Sequence, residues 1–453
     1  MAQELGRVIF TRDRYARSWS LGDRKNPICK TPILMQLTGD PEMEEFLSPF
    51  SSKTDSNIPS TLSVSSKVPL SPPDFTHKGP NYESFIGHVL PPSLDEANAG
   101  EPAGSGQLLP VSWQRLSHDR DLLDSNLNPS IIVLVDSVQL AAQPGKLVKA
   151  IHVLKNKFPG SLLWTPGIGG PDNAAILNWF GVDIFDLSRS RMCNSAGVIL
   201  SENGPRMPDD SMSETVTMEV QIQHWKQSIA SIKSNLKNGT LRSLVDKQSL
   251  NSPNLVEHLR SHDKICSEQP GLLSSHVDNQ KILDCSSPNT LNDPVVKEWC
   301  DFISNRYKAP NGLDNVLILL PCSARKPYRL SKSHGRFIRA INSNSCHEVM
   351  VTSPLGLVPR DLEEIWPASH YDIPVTGDWS HDELIRTQTM LDSLLSRHGY
   401  NLVINHSSME LKTGDVELIE TRNGLSSSSS EALDNLSKSV NEAIQRFNVN
   451  KRR

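Results

Sequence analysis

The chain has 453 residues, 37% of them hydrophobic, with 25 Gly and 31 Pro; this is length for two or three domains with real cores, and it excludes a collagenous or wholly disordered chain. Lys plus Arg number 46 against 51 Asp plus Glu, a formal charge of -5, so any nucleic-acid surface has to be a local patch on a nearly neutral molecule. The seven cysteines, Cys29, Cys193, Cys266, Cys285, Cys300, Cys322 and Cys346, are widely spaced with no C-x-x-C pair, which argues against a zinc ribbon and against a secreted disulfide framework.

The opening MAQELGRVIFTRDRYARS lacks the apolar core of a signal peptide, and no stretch approaches the roughly 18 apolar residues of a membrane span. The expectation is a cytoplasmic protein with no membrane partner. Residues 51–107 are rich in Ser, Pro, Asn and Gly with little periodicity, and are predicted to be mostly loop. From Ser130 the pattern sharpens. Ile131 to Val135 is a β-branched apolar run, Lys146 to Lys157 an amphipathic segment, and Ser161 to Trp164 a second strand, together a β-α-β unit. Pro171 and Gly181 bracket a short helix, after which Val182 to Phe185 resumes a strand. Repeated β-α units predict a parallel α/β layout, a relic of a barrel.

Met218, Ile222, Trp225, Ile229, Ile232 and Leu236 recur at spacings of four and three, one apolar helix face. The polar stretch 262–290 marks the main boundary, so the domains are predicted as 1–265, a linker at 266–290, a second α/β domain at 291–425, and a linker with a terminal amphipathic helix at 426–453. In the second domain Val316 to Leu320, His347 to Val351 and Leu402 to Ile404 read as strands. A capping box, Ser380 with Glu383, opens a helix expected to turn Leu384, Leu391 and Leu394 inward. The last helix puts Leu433, Leu436, Val440, Ile444 and Phe447 on one stripe.

The chemistry concentrates in residues 321–334, directly after the Val316 strand, at the end of a parallel sheet where loops are free to bind ligands. Arg325, Lys326, Arg329, Lys332, Arg336 and Arg339 make a basic stretch with no acid from Asn315 through His347, which is either a solvated face or a phosphate-binding surface. Cys322 is either a small buried hydrophobe or a nucleophile whose thiol pKa is depressed by Arg325, Lys326 and His334. After the next strand come Ser353 and Gly356, then His370, Asp372 and Asp378. Their carboxylates serve as ion-pair partners of the basic stretch or as groups that hold or deprotonate a substrate amine.

The second domain resembles archaeosine synthase, the archaeal tRNA-modifying paralogue of tRNA-guanine transglycosylases, whose core has the pattern P-C-x3-K-P-Y-x2-S-x2-H. Here it reads Pro321, Cys322, Lys326, Pro327, Tyr328, Ser331 and His334. The SPLGLVPR and HYDIPVTGDW segments fit the same family, so the likeness runs from about residue 292 to 410. The first domain is similar to the family's transglycosylase-like barrel through Trp164 to Ile168 and Pro171 to Phe185. The resemblance implies an α/β protein with a reduced TIM-barrel-like domain followed by a three-layer α/β domain with a mainly parallel sheet. It departs from the family in three ways: residues 193–220 hold only Cys193 of a zinc-binding cluster, no D-S-G-G-F-Q signature is found, and only about 40 residues follow the core domain, too few for a PUA domain.

What the resemblance implies is a transferase that adds an amine, the side chain of free lysine, to the nitrile of 7-cyano-7-deazaguanine in the tRNA D-loop. It implies Cys322, Lys326, Tyr328, His334 and Asp372 as catalytic, Pro321, Ser331, Ser353, Gly356, His370 and Asp378 as substrate-binding, and Arg325, Arg329, Lys332 and Arg336 as RNA-binding. No metal and no cofactor are expected beyond lysine as co-substrate. Expected partners are tRNA, a radical-SAM enzyme that cleaves the adduct, and a separate PUA-type tRNA-binding protein. The other readings are a non-catalytic tRNA-binding scaffold and an active transglycosylase.

Overall fold

Short apolar runs make the strands of both halves. The protein was analysed as a computed structural model describing residues 7–22, 27–54, 61–66, 82–89, 108–118, 129–268, 282–373 and 378–447. It divides into two units, 1–278 and 279–453.

The first unit opens with an antiparallel meander of β1 (Arg7–Asp13), β2 (Ala16–Gly22) and β3 (Pro27–Lys30). There follow β4 (Ile33–Gln36), β5 (Phe50–Thr54), β6 (Thr61–Ser66), β7 (Tyr82–Val89), β8 (Leu108–Val111), α1 (Trp113–His118), β9 (Ile131–Leu134), α2 (Ser137–Ala141), α3 (Lys146–Lys157), β10 (Leu162–Trp164), α4 (Ala174–Phe180) and β11 (Ile184–Asp186). Their sheet runs β7-β6-β5-β4-β11-β10-β9-β8. Six strands, β5-β4-β11-β10-β9-β8, are parallel and curl into a half-barrel. The strands follow one another round the sheet in chain order, with the last, β11, against the first, β4, which is the cyclic order of a (βα)8 barrel. The antiparallel β6 and β7 continue from β5, and β7 comes close to β8. Three strands therefore lie wholly or partly in the stretch expected to be mostly loop. Of these, Phe50–Thr54 and Thr61–Ser66 are mostly Ser and Thr, which leaves short strands little apolar contrast for periodicity to read.

Alternation along the parallel strands divides the core. Ile33, Met35, Ile131, Val133, Leu162, Trp164 and Ile184 meet Trp19 and Leu21 of the meander. Their neighbours Leu34, Ile132, Leu134, Leu163 and Phe185 face the helices. After β11 come α5 (Ser188–Ser195), the hairpin β12 (Ile199–Ser201) and β13 (Gly204–Arg206), α6 (Met218–Asn238), α7 (Leu241–Ser249) and α8 (Pro253–Glu268). The α6 face is as expected, with Trp225, Ile232 and Leu236 fully buried. The helix before Gly181 starts at Ala174 rather than at Pro171, because Asn173 precedes it and its side chain is engaged by the Gly170 N–H.

The second unit contains β14 (Leu283–Asp284), α9 (Pro294–Asp301), β15 (Val316–Pro321), α10 (Lys332–Ile341), β16 (His347–Thr352), β17 (Gly356–Pro359), β18 (Tyr371–Asp372), α11 (His381–Arg397), β19 (Leu402–Asn405), β20 (Glu417–Glu420) and α12 (Ser430–Arg446). The sheet order is β17-β16-β15-β19-β20, parallel except for β17. From the central β15 the chain crosses one way to β16 and later back over it to β19. Right-handed crossovers then place α10 and α11 on opposite faces, giving three layers. The carboxyl end of β15 is the topological switch point, where open α/β sheets bind ligands.

Around this sheet, α11 has the capping box and buries Leu391 and Leu394, but Leu384 is 37% exposed. Leu384 lies near the start of α11 on the same side as Thr387, where the buried stretch of Thr387, Met390, Leu391 and Leu394 begins. The α12 stripe buries Leu436 and Val440 against the second core. Residues expected to be linker also take part in structure: α8 reaches Glu268, and β14 pairs in parallel with β18. No helix among the described residues is long and apolar enough to cross a membrane.

Candidate active site

Pro321 ends β15 and puts Cys322 at the switch point. Leu319 and Leu320 are buried on the strand, whereas Cys322 is only partly buried, so the strand's packing ends one residue before the thiol. The chain then turns through Lys326-Pro327 to bury Tyr328 completely. The Tyr328 hydroxyl meets that of Tyr371, and Tyr371 in turn lies 2.5 Å from Thr352 Oγ1. Thr352 ends β16, the strand beside β15, and its side chain is close enough to the Cys322 thiol to lower its pKa. A chain of hydroxyls thus runs from Tyr328 through Tyr371 to Thr352, beside the cysteine.

Lys326 folds over this group. Its Nζ sits 4.0 Å from the centre of the Tyr371 ring and is buried without a hydrogen-bond partner among the described residues. Burial lowers its pKa, while Cys322, Asp372 and Cys285 favour the charged form. A buried ammonium without an acceptor is costly, and Lys326 lies in the loop that leaves the carboxyl end of β15.

The thiol differs from the sequence expectation. Burial pushes the Cys322 pKa up, and the Thr352 side chain and Lys326 charge only partly offset this. Arg325 is exposed, and His334 is not a cation near it. The His334 Nε2–H donates to the Pro321 carbonyl at 3.0 Å, while Arg360 Nη2 donates to its Nδ1 at 3.0 Å. Burial, then the charge of Arg360, lower the His334 pKa to about 3. With both ring nitrogens engaged, the imidazole fixes the strand end that presents Cys322. Arg360 is held by Glu348 at 2.7 Å and Glu363 at 3.1 Å, and Glu363 also accepts from the Arg329 N–H.

The remaining motif residues hold the frame. Ser331 caps α10 by accepting from the His334 N–H at 3.2 Å. Ser353 donates to Glu383 of the α11 capping box. Gly356 has φ +71, and a Cβ there would lie 2.4 Å from Met390 Sδ, so it serves close packing of β17 on α11. His370 is exposed with Nδ1 2.6 Å from Ser369 Oγ. Asp372 is exposed beside Lys326. Asp378 lines a separate cavity of about 730 Å³ with Trp379, His381, Leu384, Ile385 and Glu410. The structure therefore gathers Cys322, Lys326, Tyr328 and Asp372 and leaves Ser353, Gly356 and Asp378 apart from them.

Sequence reasoning missed Thr352 and Tyr371. Both stood inside segments it had singled out, and position at a strand end was the signal for Thr352. Tyr371 had no such signal, since its place depends on the β14–β18 pairing. Of the basic residues, Lys332, Arg336 and Arg339 lie exposed on α10, at spacings that share one side of the helix. Arg329 is paired with Glu364.

A thiol at a switch point, beside a buried amine and linked hydroxyls on an α/β domain, is an arrangement that can supply a nucleophile or pass a proton. Residues 296–440 match the family described as Domain of unknown function (DUF5591). The chain is 32% identical over 285 residues to the archaeosine synthase subunit alpha of Thermoplasma acidophilum, covering 60% of this chain and 52% of that one. It is 28% identical over 418 residues to the archaeosine synthase subunit alpha of Methanosarcina acetivorans, covering 85% and 63%. A tRNA-guanine(15) transglycosylase of Methanobrevibacter smithii is 24% identical over 313 residues, covering 62% and 46%. The chain is thus similar to curated archaeosine synthases, as its motif indicated. It spans about half the length of the curated relatives it matches.

Proposed function

We propose that the second unit performs the amidine-forming step of archaeosine biosynthesis on tRNA, with free lysine as the amine and no further cofactor. The observation that supports this most is the buried Lys326 ammonium beside Cys322 at the sheet's switch point, with no hydrogen-bond partner among the described residues. A nitrile is a sluggish electrophile, and its nitrogen must gain a proton as a nucleophile adds to its carbon.

In this reading the Cys322 sulfur bonds to the nitrile carbon, and the nitrogen takes up the thiol's proton, relayed through Thr352, Tyr371 or Lys326. The product is a thioimidate. The lysine amine then adds to the same carbon, and the carbon–sulfur bond breaks. Sulfur leaves with a proton from the attacking nitrogen, giving the amidine and restoring the thiol. Asp372, exposed beside Lys326, orients the incoming amine, and Lys332, Arg336 and Arg339 meet RNA phosphates. His334 is a positioning residue. The raised thiol pKa favours a second route, direct amine attack with Cys322 lining the pocket and Lys326 donating the proton.

The reading also implies a radical-SAM partner to cleave the adduct, a separate PUA-type protein to grip tRNA, and a cytoplasmic setting. It is tested by mass spectrometry of nucleosides after incubation with nitrile-bearing tRNA and lysine. A lysine-adduct mass supports it. An unchanged nitrile nucleoside with folded protein would leave a tRNA-binding scaffold.

A further inference from the structure

The first unit brings together three side chains that no part of this chemistry uses. His262 and Cys266 stand four residues apart on α8, so they share one face of the helix, and α3 lays His152 against them. His152 Nε2 lies 2.8 Å from His262 Nδ1, and Cys266 Sγ lies 3.6 Å from His262 Nε2. One ligand atom from each residue lies within 4.8 Å of the other two. The three are 5%, 1% and 2% exposed. Tyr15 packs its ring edge on His152 at 4.8 Å and hydrogen-bonds Asn156.

We propose that His152, His262 and Cys266 form a site for a thiophilic divalent transition metal, zinc by its donor set. The composition fits an ion that takes imidazole nitrogen at about 2.0–2.1 Å and thiolate sulfur at about 2.3 Å. Tetrahedral ligation at those lengths sets the two nitrogens about 3.3 Å apart, an opening of about half an ångström from the present contact. His262 now offers one nitrogen to each neighbour, so a turn of its ring brings a single nitrogen between them. Both imidazoles are buried, and burial favours their neutral, ligating form. Binding forms a metal–sulfur bond as Cys266 releases its proton to solvent, with no change of oxidation state.

The electrostatics are compatible with this. Arg242 is close enough to oppose a cation, but it is bound by Asp246 and, through two bonds, by Asp263. Arg14 stacks on Trp179. The site ties α3 to α8, which are separated by 110 residues between the two histidines. It lies apart from residues 193–220, where a cysteine cluster was sought, and it departs from the expectation of no metal.

The test uses the full chain. Protein purified without chelator is analysed for metal, then stripped and titrated with cobalt(II). The expected result is about one equivalent per chain, a thiolate-to-cobalt charge-transfer band, and a melting temperature that falls on stripping and returns with zinc. In Cys266→Ser the charge-transfer band disappears, and in His152→Gln the affinity falls at least tenfold. Wild-type protein that takes up neither ion and melts at one temperature throughout overturns the site, whatever the variants do. A cobalt band that persists in folded Cys266→Ser also overturns it.

Discussion

At the scale of single residues, the thiol and the imidazole have exchanged the roles their sequence setting suggested. Basic neighbours in sequence promised a thiolate at Cys322, but the fold buries the thiol and points Arg325 to solvent, so burial wins over charge. Replacement of Cys322 by Ala is expected to abolish the lysine adduct while leaving the melting temperature nearly unchanged. Adduct formed at wild-type rate by Cys322→Ala would leave direct attack as the route. With a raised thiol pKa, the thiolate fraction and hence the rate should climb as pH rises from 7 toward 9. A rate independent of pH over that range would sink the thiolate step. His334→Ala strips partners from the Pro321 carbonyl and from Arg360, a loss of about 1–3 kcal/mol. Its effect on turnover should be partly restored in His334→Gln, which can both donate and accept.

At the scale of elements, the loops between β15 and α10 and between β16 and α11 are held by caps and tight packing that leave little slack. Gly356 sits at φ +71 with Met390 against its missing Cβ. Gly356→Ala is therefore expected to cost about 2–4 kcal/mol, from backbone strain plus overpacking, read as a lower denaturant midpoint. Loss of under about 0.5 kcal/mol would mean the hairpin shifts freely. Along α10, Lys332, Arg336 and Arg339 are exposed cations, whereas Arg329 is paired with Glu364. A Lys332→Ala/Arg336→Ala variant should reduce the salt dependence of tRNA binding by up to about two units of slope, and Arg329→Ala by less. Equal slopes in all three proteins would make this helix a plain solvated surface.

For the whole molecule, buried histidines set the response to acid. His334 and His347 both titrate at about 3 in the folded chain, His347 through burial and then the charge of His398, against an ordinary value of 6.5. The unfolded chain binds those protons first as pH falls. Stability is therefore complete above about pH 6.5 and declines from there toward pH 3, by on the order of 1.4 kcal/mol per histidine for each pH unit at the steepest. Thermal melts between pH 7.5 and 4.5 should show a steady fall in the melting temperature. A flat profile would show that these rings are accessible to protons without unfolding.

Much of this was written locally and so could be read locally. The strands at 131, 162, 316, 347 and 402, the apolar face of α6, and the Ser380–Glu383 capping box depend on neighbours a few residues away, within reach of periodicity and spacing. The motif around Cys322 announced the site for the same reason. What lay beyond it was decided by pairing between segments: β6 finds order against β5, and β7 against β6. Tyr371 reaches Tyr328 across 43 residues, and Leu384 stays exposed because the packing against α11 begins at Thr387. His334 becomes a strut because Arg360 and the end of β15 converge on it, and His152 meets His262 only once α3 and α8 pack. Sequence determines which groups are available and which local backbone they favour; burial and partners at long range set their protonation and their work, because desolvation and hydrogen bonding depend on three-dimensional neighbours.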